Sequence, residues 1–169
     1  SPALSVIAKM LRSMYLHREI REKGGAYGGF ALYNAEDGLF SFGSYRDPHI
    51  VGTLKVYNGA ADFIRSGTFT EEDVKEAILQ VCSEIDKPDP PGPAARKAFY
   101  RRVIGLSDET RMRNKENLLK LTRKAVVEAA DRYFDNDHAN KAVAVISSRD
   151  LLDIANAKMG DQTLSLHAV

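Results

Sequence analysis

Leu4, Ile7, Ala8, Leu11, Met14 and Tyr15 recur at helical spacing, so residues 3 to about 22 predict an amphipathic helix. Gly24-Gly25 stops it, since glycine best adopts the left-handed turn that closes a helix. The period then changes. Residues 30 to 33 read as a strand, 34 to 38 as a turn closing on Asp-Gly, and 39 to 45 as a returning strand. This is a β-hairpin with Arg46 at its far end. Asp47-Pro48 opens the next helix, with Asp as cap and Pro in the first turn. Val51, Leu54, Tyr57, Ala61 and Ile64 form its apolar stripe, and Gly67 ends it. Thr70 caps a further helix whose first turn holds Glu71, Glu72 and Asp73, where the helix dipole favours acids. Its inward positions are Val74, Ala77, Ile78, Val81 and Ile85.

The second half is less periodic. "KPDPPGP", residues 87 to 93, reads as a stiff loop, because proline lacks the N–H that continues a helix. Residues 94 to 105 predict a basic, exposed helix with Phe99, Tyr100, Val103 and Ile104 as apolar contacts. Ser107 begins a helix through about Leu121, and Thr122 caps another with Ala125, Val126, Ala129 and Tyr133 inward. "KAVAVIS", residues 141 to 147, reads as a buried strand by its β-branched run. A short helix over 148 to 157 and a closing strand over 163 to 169 complete the pattern. The expected fold is α+β, an antiparallel-rich mixed sheet covered by helices, with residues 1 to 169 forming one domain. The sheet is thin for so many helices, and the first helix has no preceding strand to cover. A fragment of a longer chain is expected.

Composition narrows the class. The chain has 169 residues, 44% hydrophobic and 28% charged, with a net charge of +1. Basic and acidic residues are interleaved, so no global field favours nucleic acid or an anionic membrane. The single cysteine, Cys82, excludes an internal disulfide and suits a reducing compartment; it falls on an apolar helix face and reads as a small hydrophobe. No apolar run approaches the roughly 18 residues of a membrane span. Residues 4 to 15 are broken by Lys9 and Arg12, unlike a signal peptide. A soluble intracellular protein is expected.

Candidate chemistry reduces to one place. His17, His49, His138 and His167 lie far apart, and none has a second histidine three or four positions on, as a helical zinc site requires. No Gly-x-Ser-x-Gly elbow is present. "GGAYGG" follows a helix and precedes a strand, the reverse of a dinucleotide fingerprint, and lacks the Lys-Ser/Thr of a P-loop. Arg21 and Tyr27 flank this turn. Arg carries a fixed cationic fork and Tyr a neutral hydroxyl, so both are donors. Converging on a carbonyl oxygen, they would stabilise negative charge growing there. Gly24 and Gly25 would let a substrate backbone come close. On the residues alone a plainer alternative stands: Arg21 complements the helix C-terminus, Tyr27 packs in the core, and the glycines only turn the chain.

"LHREIREKGGAYGGFALYNAEDGLFSFGSYRDPH" resembles the C-terminal half of the presequence proteases, in the pitrilysin/insulysin family of zinc metallopeptidases. The likeness continues through "SGTFTEEDVKEAI", "IGLSDETR" and "AADRYF", covering most of residues 4 to 134. It implies a clam shell of four homologous α+β domains enclosing a peptide chamber. It also implies a zinc ion held by an inverted His-x-x-Glu-His motif in the first domain. The last domain contributes an arginine and a tyrosine six residues apart, which by position are Arg21 and Tyr27. The implied partners are a peptide substrate and the zinc-bearing N-terminal half of the same polypeptide, with no nucleic acid and no membrane. The implied locations are a bacterial cytoplasm, a mitochondrial matrix or a plastid stroma.

This sequence departs from the family in having no zinc motif of its own, so the fragment alone is expected to hold no catalytic metal and to be inactive. Two other readings compete. One is a catalytically inactive homologous domain that holds peptides or acts as a structural partner; retention of both Arg21 and Tyr27 weighs against it. The other is an unrelated module binding acidic partners through "ARKAFYRR", which interleaves bases with aromatics but lacks a second basic patch.

Overall fold

The computed structural model describes residues 1–134, 141–160 and 163–167. The first helix begins as α1 (Pro2–Met10) and continues without a break as a π-wound segment (Leu11–Glu22). Ala3, Leu4, Val6, Ile7, Ala8, Met10, Leu11, Leu16 and Ile20 are buried along its length; the expected Leu4, Ile7, Ala8 and Leu11 are among them, whereas Met14 and Tyr15 are half-buried and Leu16 and Ile20 are buried instead. The hairpin follows as β1 (Gly28–Asn34) and β2 (Leu39–Tyr45), paired antiparallel from Gly28 opposite Tyr45 to Asn34 opposite Leu39. Then come α2 (Ile50–Arg65), α3 (Glu71–Asp86), α4 (Pro91–Val103), α5 (Asp108–Leu119), α6 (Arg123–Tyr133) and α7 (Arg149–Met159). The class is α+β. The first helix lies at the centre, packed against β1, α3, α5 and α6, and α2 packs on its π segment.

Caps set several helix starts where the sequence places them. Thr70 Oγ1 accepts from the Asp73 N–H while Asp73 Oδ2 accepts from the Thr70 N–H, a complete capping box. Ser107, Thr122 and Ser148 each accept from the backbone N–H three residues on. Asp47 acts differently from the expected cap. The helix starts at Ile50, Pro48 precedes it, and Asp47 accepts from the His49 N–H at 2.9 Å and from Thr53 Oγ1 at 2.6 Å.

Other expectations are corrected. The proline-rich stretch is loop only as far as Pro90; Pro91 opens α4, because the first-turn N–H groups have no helical acceptor and proline loses nothing there. Ile85 and Tyr133, read as inward, are exposed. Phe99, Tyr100, Val103 and Ile104 contact no core, and α4 buries none of its residues. Cys82 is half-buried against the core. The strand expected over 141–147 does not form: the segment is irregular and Ile146 is 97% exposed. Residues 163–167 are likewise not a strand; 168 and 169 lie outside the described residues. A β-branched run becomes a strand only beside another edge, and among the described residues the sheet has two strands.

Candidate functional site

The turn between the first helix and β1 is built by backbone bonds. The N–H of Lys23 donates to the Arg18 carbonyl, a five-residue step that marks the π winding. Gly25 N–H then donates to the Arg21 carbonyl at 3.0 Å and Ala26 N–H to that of Ile20 at 3.1 Å. Both glycines are required by geometry. Gly25 has φ +71°, in the left-handed region, and a Cβ on Gly24 would lie 2.5 Å from the Ile20 carbonyl oxygen. Between them the buried Ala26 anchors the turn to the core. Arg21, in the last helical turn, and Tyr27, just before β1, are thereby held at the two ends of one short, tightly bonded loop.

Neither side chain is in the core. Tyr27 is 60% exposed, so the plainer alternative of a core tyrosine fails. Its ring lies 4.9 Å from that of Tyr45, and the Arg46 guanidinium sits 5.7 Å above the Tyr27 ring. Such a cation over a ring face holds the ring in place, at an exposed site by about 0.5–1 kcal/mol. Arg46 is itself in the left-handed region, at φ +50°, a conformation uncommon for a side-chain-bearing residue. Tyr45 and Arg46 were not singled out as site residues from the sequence. The hairpin register contains the signal: if residue 28 faces residue 45, then Tyr27 faces Arg46, and the Tyr27 N–H does donate to the Arg46 carbonyl.

Arg21 is exposed, and among the described residues its guanidinium forms no ion pair. Its neighbours Arg18 and Lys23 are committed to Glu19, whose carboxyl the Lys23 ammonium holds below the usual carboxylate range. The polar contact of Arg21 is with an imidazole: Nη1 lies 3.4 Å from His17 Nε2. The turn therefore presents a cation whose contact is a histidine rather than an acid, and a largely exposed phenol. It is not the most concave part of the surface. A groove of about 620 Å³ runs instead between the first helix and α3, from Lys9 and Arg12 to His17 on one wall and along Glu76 to Glu84 on the other. Being open and lined by charges of both signs, it is a weaker candidate for chemistry than the turn. His17 lies at the groove's edge and also touches Arg21.

The family model of the PreP C-terminal domain matches residues 1–149. The chain belongs to that family. It is 38% identical over 144 residues to the mitochondrial presequence protease of Xenopus tropicalis, which covers 85% of this chain and 14% of the relative. It is 40% identical over 144 residues to that of Kluyveromyces lactis, with the same coverage. With presequence protease 1, chloroplastic/mitochondrial, of Arabidopsis thaliana the identity is 34% over 151 residues, 89% of this chain and 14% of the relative. The chain thus spans about one-seventh of the length of these presequence proteases. Among the described residues of this PreP C-terminal domain no group of three or more His, Cys, Asp or Glu is placed to hold a metal ion. His138 lies outside them. Nor, among those residues, is any helix long and apolar enough to cross a membrane.

Proposed function

We propose that this chain is the single C-terminal domain of a zinc metalloendopeptidase that degrades unstructured peptides, such as cleaved presequences. It supplies two donors to the substrate carbonyl. Arg21 and Tyr27 approach the oxygen as it gains negative charge, and Gly24 and Gly25 leave room for the peptide backbone. The single observation that carries this reading is the exposed guanidinium of Arg21, without an ion pair among the described residues, and the exposed phenol of Tyr27 at the two ends of one short turn, in a member of this family. The residues described here do not fit a zinc ion, so the metal is assigned to the remainder of the polypeptide, together with the partner half that encloses the peptide. The domain's own work is to bind, to orient and to stabilise charge. A mitochondrial matrix, a plastid stroma or a bacterial cytoplasm would each suit it.

The test uses the full-length polypeptide. Arg21→Ala and Tyr27→Phe each lower kcat on the order of 100- to 1000-fold with a smaller change in KM, as expected for donors that act mainly on the transition state. If only KM rises, the two residues are substrate clamps. If neither constant moves, the alternative is right, and the domain is a peptide-holding or structural partner without a role in the chemistry.

A further inference from the structure

His17 sits between two partners on the turn that follows it in the helix. Its Nε2 lies 3.4 Å from Arg21 Nη1, and its Nδ1 lies 3.3 Å from Glu22 Oε1. Such a three-way contact needs the π winding. In an α-helix the residue five positions on lies well round the barrel, whereas the wider π turn brings the fourth and fifth residues together over the first. The guanidinium has donors only, so it is Nε2 that can accept from Arg21. In the tautomer that carries its proton on Nδ1, that N–H faces the Glu22 carboxylate. The ring thus stands between an acid on one side and a cation on the other.

From this geometry we infer that His17 is a positioning residue for Arg21: with Glu22 behind it, it holds the guanidinium at the turn. The inference rests on the proposed role of Arg21. The charged groups that surround the ring are Arg21 and Glu22 on its own helix, with Lys9 and Arg12 further along that wall of the groove, and Glu76 and Glu84 across it on α3. Glu84 is already committed to Lys9 at 2.5 Å. Glu22 is the carboxylate that reaches the ring.

The experiment compares His17→Ala with His17→Gln in the full-length enzyme, each alone and combined with Arg21→Ala. His17→Ala lowers kcat about tenfold or more with KM nearly unchanged, since a misplaced catalytic group can cost on the order of 100-fold. His17→Gln, which can offer an amide oxygen where Nε2 stood, retains most of kcat. In the Arg21→Ala background, His17→Ala costs nothing more. An equal cost with and without Arg21 overturns the inference. So does a His17→Gln variant as slow as His17→Ala. Crystal structures of full-length wild type and His17→Ala at neutral pH supply the readout that activity does not. A displaced Arg21 guanidinium in the variant supports the hold, and one left in place overturns it. If Arg21→Ala proves harmless to kcat, the proposed function fails, while the guanidinium position still decides what His17 does.

Discussion

The first helix and α4 are both amphipathic on paper, yet one is the centre of the molecule and the other buries nothing. All the buried apolar side chains among the described residues precede residue 82, except Leu118, Val126, Ala129, Ala130 and Ala155. In the first helix Ile7, Leu11 and Leu16 are fully covered, by the hairpin on one side and by α3 and α6 on others. In α4, Phe99 is 71% exposed, and the helix is tied to the hairpin turn by a hydrogen bond from Tyr100 Oη to Glu36 Oε2. An apolar stripe is a demand for a partner, and only where the chain supplies that partner does it become a core. The Arg21–Tyr27 turn grows from the covered helix. Ile20 and Ala26, both buried, flank it, so Arg21 and Tyr27 are each next to a residue of the core.

The sharpest break of that contrast is in the packed region. Leu16→Ala, beside His17 in the π segment and fully buried, is expected to destabilise the domain by about 2–5 kcal/mol, read as a lower urea midpoint with little change in slope. A loss under about 1 kcal/mol would mean that the π segment is not anchored as described. A smaller effect is expected at the start of α3. Thr70→Ala removes the cap and costs about 1 kcal/mol. It also changes the pH dependence. The Thr70 backbone N–H, and then its hydroxyl, hold the Asp73 carboxyl below the usual carboxylate range. A depressed pKa means that the unfolded chain binds the proton more readily, so stability rises with pH there. The contribution is present above the unfolded carboxylate range and fades as pH falls through the lowered value. Urea midpoints of wild type and Thr70→Ala should draw closer as the solution is acidified, by the hydroxyl's share alone, since the variant keeps the backbone N–H that donates to Asp73; parallel curves would count against the hydroxyl–carboxylate contact.

The contrast also accounts for what could be read from the residues. The first helix, the hairpin and the caps at Thr70, Ser107, Thr122 and Ser148 are local: each depends on neighbours within a few positions, and each was legible. Arg21 and Tyr27 stood out as donors on either side of a glycine turn, but the residues alone left a plainer reading open, and their role came from the family resemblance. The π winding of Leu11–Glu22 was not legible from α-helical spacing: Met14 and Tyr15, read on that period, are half-buried, whereas Leu11, Leu16 and Ile20, spaced by five and four, are the buried positions. His17 was hidden with it, because its two partners come together only on the wider turn. The strands expected over 141–147 and 163–169 failed for a different reason. Their β-branched composition describes a fit to a pleated, half-covered surface, and the described residues offer these segments no such surface.

The smallest expected effect tests the other side of the contrast. If α4 contributes no burial, replacing its most exposed aromatic should leave the stability of this chain nearly untouched. Phe99→Ser removes apolar area that is already in water, so folding gains and loses little by it; the change should stay within about 0.5 kcal/mol. The same substitution in the full-length polypeptide discriminates further. There the ring either remains in water, and the variant again behaves as wild type, or meets a surface from the rest of the chain. In the second case the loss should approach the roughly 3–5 kcal/mol of a buried phenylalanine truncated to a small side chain. Paired urea titrations of the two lengths measure that difference directly. A large loss already in the short chain would mean that α4 is packed, and that the division between a covered helix and an open one is drawn in the wrong place.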